Sequence, residues 1–99
     1  MEIDKLIQEI VDIIGRRAPK ETQVILFGSW AKGTAQKTSD LDIGILGKAA
    51  ITNLIMTQII SEVSALPTLR KIDIVDLNTV DERFRESALN GHKILTNTL

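Results

Sequence analysis

Asp40 and Asp42 stand two residues apart in the segment DLDIGIL. On a β-strand, residues i and i+2 project to the same side, with Cα atoms about 6.6 Å apart. Like charges held that close repel, and burying them is costly. A hydrophobic core gains nothing from such a pair, but a hard divalent cation does. Mg²⁺ takes oxygen ligands and keeps its remaining positions for water and phosphate oxygens. Two such ions about 3.5–4 Å apart serve in-line displacement at phosphorus. Taken alone, a D-x-D pair more often marks a solvated strand face.

The preceding stretch adds phosphate chemistry. Gly28-Ser29 follows the apolar run TQVILF, where a strand ends and a turn begins. A glycine there lets backbone approach a ligand closely. Free N–H groups opening a helical turn attract phosphate. The Ser29 hydroxyl can donate to a phosphate oxygen, and Lys32 can place a cation nearby. Each residue has a blander reading singly: strand terminator, N-cap and solvated charge. Gly28 and Gly33 have the glycine spacing of a Walker A loop, but Thr34 stands where that loop needs lysine. A P-loop is therefore rejected.

Taken together, Gly28-Ser29-Trp30-Ala31-Lys32-Gly33 followed by Ser39-Asp40-Leu41-Asp42 resembles the signature of the DNA polymerase β-type nucleotidyltransferase superfamily. The chain's shortness makes it similar to the minimal nucleotidyltransferases (MNT) of bacteria and archaea. The likeness runs from about residue 22 to 95. Either half of the motif would be weak alone; the combination is specific. The basic position holds Lys32 where arginine is commoner, and a lysine gives no bidentate grip on phosphate.

That resemblance implies a set of roles. Asp40, Asp42 and a third carboxylate from a later strand would be the catalytic and metal-binding residues, holding Mg²⁺, two ions in the usual arrangement. Gly28, Ser29, Lys32 and Ser39 would bind the triphosphate of a nucleotide, with ATP as the default substrate. Two residues fit the third carboxylate: Asp73 in Ile72-Asp73-Ile74 and Asp76 in Val75-Asp76-Leu77. They face opposite sides of a regular strand. Minimal members use the first aspartate of this stretch, which favours Asp73 and leaves Asp76 as a turn or cap residue. The implied reaction transfers AMP to a hydroxyl, releasing pyrophosphate. The implied partner is a small helical HEPN-type protein, in a toxin–antitoxin pair where this chain is the antitoxin. A competing reading is a non-catalytic module that neutralises that partner by contact. Transfer to a small molecule would need an acceptor pocket that so short a chain can hardly supply.

The elements that must position these residues are legible as periodicities. The 99 residues, 43% hydrophobic and 25% charged, predict one ordinary globular domain. Residues 2 to 16 carry Ile3, Leu6, Ile7, Ile10, Val11 and Ile14 at helical spacing, with Gly15 and Pro19 marking the end. Residues 22 to 27 read as a buried strand. Residues 28 to 39 have loop chemistry with room for one helical turn. Residues 40 to 46 alternate as a second strand, 51 to 65 form a second helix ended by Pro67, and 70 to 77 form a third strand. Thr79-Val80-Asp81-Glu82 has capping-box spacing with Thr79 as N-cap, opening a helix that stops at Gly91. The tail HKIL is left between a short edge strand and coil. The order α-β-β-α-β-α makes an α/β domain with a small mixed sheet flanked by helices.

Composition closes off other chemistries. There is no cysteine, hence no disulfide framework and no thiol nucleophile. The lone His92 cannot build a histidine-rich zinc site, and is read as a surface or cap residue. Twelve Lys+Arg against 13 Asp+Glu, with only Phe27, Trp30 and Phe84 aromatic, argue against a nucleic-acid groove. Trp30 is read as a core-edge residue. The longest apolar run, Val24 to Phe27, is far short of the ~18 residues of a membrane span. The acidic residues among the first twelve do not fit a signal peptide. A cytoplasmic protein is expected, and a homo-oligomer is compatible with everything above.

Overall fold

In the computed structural model, which describes residues 1–96, α1 spans Ile3–Arg17. Its apolar stripe buries Leu6, Ile10 and Ile14 completely. The helix runs through Gly15 and stops at Ala18, which is extended (φ −78°, ψ 157°) and donates its N–H to Ile14 O. Ala18 precedes Pro19, and a residue before proline is pushed out of the α region. Arg16 and Arg17 in the last turn complement the helix dipole.

The sheet has four strands in the order β3-β2-β1-β4. β1 (Gln23–Phe27) and β2 (Leu41–Leu46) pair antiparallel at its centre. A one-turn helix, α2 (Ser29–Lys32), lies in the connection between them. β2 pairs parallel with β3 (Ile72–Asp76) through a crossover containing α3 (Asn53–Ser64). Thr52 caps α3 by accepting from Ile55 N. After α4 (Glu82–Leu89), the chain returns as β4 (Lys93–Ile94), antiparallel to β1. The tail therefore supplies an edge strand. The α4 cap differs from the sequence expectation. Asp81, not Thr79, is the N-cap, accepting from Phe84 N at 2.8 Å. Thr79 instead bonds its hydroxyl to Asp76 O. A carboxylate at the N-terminus also gains from the dipole, which favours Asp81.

Alternation along β1 and β2 divides two apolar layers. Val24, Leu26, Leu41, Ile43 and Ile45 pack with α1 and α3. Each such side chain contributes about 1.5–3 kcal/mol by burial. Ile25 and Phe27 face the other way, toward Leu77 just after β3 and Ala88 of α4. Gly44 lies on that second face, where a Cβ would come within 2.9 Å of Ile25 and Leu77 side chains. So α4 packs over this face, and Asp42, on the same face and paired with Phe27, stays partly exposed beside it. Arg17 at the end of α1 forks onto Glu62 of α3 at 2.8 and 3.4 Å, fastening the two helices. No helix among the described residues is long and apolar enough to cross a membrane.

Candidate active site

The site begins where β1 runs out. Phe27 is the cross-strand partner of Asp42, so the next residue, Gly28, lies against that aspartate. Gly28 has φ 72° and ψ −154°, a region that is essentially glycine-only. A Cβ built on it would overlap Asp42 Oδ2. Space and backbone conformation thus both require glycine here. The chain then turns into α2, whose first turn is closed by Ala31 and Lys32 donating to Gly28 O at 3.2 and 3.1 Å.

On the other side of β2, Asp42 shares a rung of the parallel ladder with Asp73. Adjacent strands lie about 4.8 Å apart, and residues on one rung project to one face. Asp76 is three residues further along and belongs to the opposite face. It is 6% exposed, accepting from Ile51 N at 2.7 Å and from Asn78 N at 2.9 Å. Its carboxylate ties the start of the crossover to the end of β3. Asp73 is therefore brought beside Asp42, which itself lies against Gly28, and Asp76 is engaged elsewhere.

Asp40 precedes β2 and is exposed, with Lys71 Nζ 3.9 Å from its Oδ2. The Asp42 carboxyl is held above the usual carboxylate range. Desolvation contributes most, followed by repulsion from Asp73 and Asp40, while Lys71 pulls the other way. Among the described residues, no three acidic or histidine side chains are gathered into a preformed metal cage. The donor set nevertheless suits Mg²⁺: hard oxygens on a half-buried face, mutually repelling, in a group that ordinarily completes its shell with water and phosphate.

Of the other sequence candidates, Lys32 is exposed, and its aliphatic stem passes over the Gly91 turn, 3.4 Å from where a Cβ would be. Ser29 opens α2. The Ser39 hydroxyl accepts from Gln36 N at 2.9 Å and closes the turn before Asp40. His92 Nδ1 lies 2.6 Å from Leu89 O, at the end of α4. Trp30 is partly buried against the core, as its type suggested.

Two contributions were not read from the sequence. A cleft of about 180 Å³ is lined by Gly28, Lys32 and Asp42 together with Phe27, Phe84, Ser87 and Ala88. Phe84 stands edge-on to Phe27 (centroids 6.1 Å, 82°) and remains 43% exposed. An aromatic residue at that place in a polar helix was the available signal. The second is Arg70, over the Trp30 ring, for which residue type gave no signal.

The family model described as polymerase beta, nucleotidyltransferase, matches residues 8–98. A protein adenylyltransferase, MntA of Shewanella oneidensis, is 28% identical over 91 residues, covering 91% of this chain and 64% of that protein. The chain thus spans less than two thirds of that relative's length. A crystal structure of a toxin–antitoxin with AMP-PNP is 27% identical, with TM-score 0.75 over 93% of this chain and 73% of the other. A structure of a proposed minimal nucleotidyltransferase, 23% identical, shares the fold at TM-score 0.68 over 98% and 97% of the two chains.

Proposed function

The chain belongs to the polymerase β nucleotidyltransferase family, and on that premise we propose that it is a Mg²⁺-dependent adenylyltransferase. It moves AMP from ATP to a hydroxyl of a helical HEPN-type partner protein, as the antitoxin of a toxin–antitoxin pair. The observation that carries this reading is the shared rung of Asp42 and Asp73 beside Gly28. The adenylyltransferase relative supports the transferred group. The toxin–antitoxin structure with AMP-PNP supports the nucleotide and a toxin as the partner.

Asp40, Asp42 and Asp73 would hold the metal, which supplies charge neutralisation at the triphosphate oxygens. Gly28 and Ser29 cradle the β- and γ-phosphates, with Lys32 assisting. The side-chain oxygens of Ser29 and Ser39 offer donors at the two ends of the connection between β1 and β2. The acceptor hydroxyl attacks the α-phosphorus, its proton passes to Asp73, and pyrophosphate leaves. Catalysis is mostly positioning and electrostatics.

The test uses α-labelled ATP, Mg²⁺ and the helical protein that co-purifies with the chain. Label is expected on the partner with the wild type and not with Asp42→Asn. An unlabelled partner that both forms neutralise equally would replace catalysis by masking through contact.

A further inference from the structure

Asp42 and Asp73 are located by strand pairing, but Asp40 lies outside β2 and has no such constraint. Something else must fix the chain where it enters the strand. Residues 70 and 71, immediately before β3, grip residues 39 to 41. Arg70 Nη1 donates to Ser39 O at 3.3 Å and to Lys37 O at 2.8 Å. The Lys71 carbonyl accepts from Leu41 N at 3.0 Å. From the other side, Trp30 Nε1 donates to the same Ser39 O at 3.3 Å. The guanidinium lies over the Trp30 ring, 4.9 Å from its centroid. Thr68 Oγ1 accepts from Arg70 N at 3.1 Å and steadies the loop that delivers the arginine.

We propose that Arg70 is a positioning residue for the carboxylate site, setting Asp40 relative to Asp42 and Asp73 through a clamp on Trp30, Lys37 and Ser39. The inference rests on the nucleotidyltransferase reading above. The geometry gives the arginine an unusual set of partners. Among the described residues it forms no ion pair, and its charge is directed at two carbonyls and an aromatic face. One Nη1 amino group donates to both carbonyls while the planar guanidinium lies on the ring; a lysine ammonium has no flat face to stack. The clamp also joins three segments that each bear a site residue: α2 after Gly28, the turn before Asp40, and the lead into Asp73. A shift of the turn would be transmitted to Asp40 directly, since Ser39 is its neighbour. None of the clamp's bonds is made by Gly28, Ser29 or Lys32, so the phosphate-binding end of the site depends on it less than Asp40 does.

The experiment compares wild type, Arg70→Ala, Arg70→Lys and Trp30→Phe in two measurements. In transfer kinetics, Arg70→Ala is expected to lower kcat by about 10- to 100-fold, the range for lost support of a metal or catalytic group. KM for ATP should stay within about 3-fold. Arg70→Lys should recover little of the loss, because a point charge without the flat guanidinium face does not rebuild the stack on Trp30. Trp30→Phe keeps a ring and removes the Nε1 donor, so an intermediate loss is expected. It also serves as the second variant if Arg70→Ala does not fold. The other measurement needs no activity: hydrogen exchange of amides 36–41 should accelerate in both Arg70 variants. Acrylamide quenching of Trp30, the only tryptophan, should rise with it. Wild-type kcat in Arg70→Ala, full rescue by lysine, or unchanged exchange at 36–41 would each overturn the proposal. If the wild type itself transfers nothing while exchange still accelerates in the variants, the activity fails and the clamp stands.

Discussion

Asp42 and Asp73 occupy the same rung of the parallel β2–β3 ladder, with Gly28 against the Asp42 carboxylate. Two acidic side chains on one face of adjacent strands, one of them against the Gly28 backbone, are an expensive arrangement. The sheet tolerates it because the rest of β2 is so well buried: Leu41, Ile43 and Ile45 are all fully inaccessible.

The cost should be visible in stability against pH. The Asp42 carboxyl is raised by burial and by Asp73 and Asp40, with Lys71 opposing. A carboxyl with a raised folded pKa binds its proton more tightly in the native state, so stability falls as pH rises through that window. Below the ordinary aspartate range both states are protonated and the penalty vanishes. Asp42→Asn should therefore raise Tm at pH 7, make no difference near pH 3, and abolish transfer. Thermal melts over that pH range check it. A lower Tm at pH 7 would show that the carboxylate is stabilising.

The two aspartates of β3 should separate function from folding. Asp73→Asn removes a half-exposed charge beside Asp42, so transfer should fall at least 100-fold with stability unchanged or slightly improved. Asp76→Asn leaves an amide facing the Ile51 and Asn78 N–H groups. At least one of the two bonds is lost, costing about 1–3 kcal/mol. For a domain this size that lowers Tm by roughly 4–24 °C. Below the transition its specific transfer rate should remain close to wild type. Melts and kinetics on both variants decide; the opposite pattern would exchange their roles.

Gly28→Ala is expected to fail on two counts. The backbone lies at φ 72°, ψ −154°, and strain of that kind costs about 1–3 kcal/mol. The added methyl must also displace the Asp42 carboxylate. Tm should drop by several degrees and transfer should be lost even at temperatures where the protein is folded. Gly15→Ala is the control: nothing lies within 4 Å of a Cβ there, and alanine is the better helix former by about 1 kcal/mol.

How much of this was legible before folding follows from the range of each interaction. Strand and helix positions came from apolar periodicity, which is local. The preference for Asp73 came from family likeness, and its physical basis, the rung shared with Asp42, needs the β2–β3 register. Asp81 displaced Thr79 as the α4 cap because Thr79 is engaged by Asp76 O, a contact set by how β3 ends. Arg70 was invisible as a site element since its partners lie 31 to 40 residues away. Phe84 faces Gly28 only because α4 folds back over the second sheet face.

Lys32 offers the last contrast, between affinity and rate. Its stem lies across Gly91, and its ammonium belongs to an exposed side chain at the rim of the Gly28–Asp42 cleft. On the proposed function, a charge so placed would meet the triphosphate in the ground state and the transition state alike, which lowers KM without raising kcat. Lys32→Ala should then raise KM for ATP by about 5- to 20-fold, corresponding to roughly 1–2 kcal/mol, with kcat changed less than 3-fold. Raising salt should shrink the difference, since exposed charge pairs are screened. Lys32→Arg should match or improve on wild-type KM, because a guanidinium can bridge two phosphate oxygens. A fall in kcat matching the fall in kcat/KM for Lys32→Ala would place the ammonium on the leaving pyrophosphate instead.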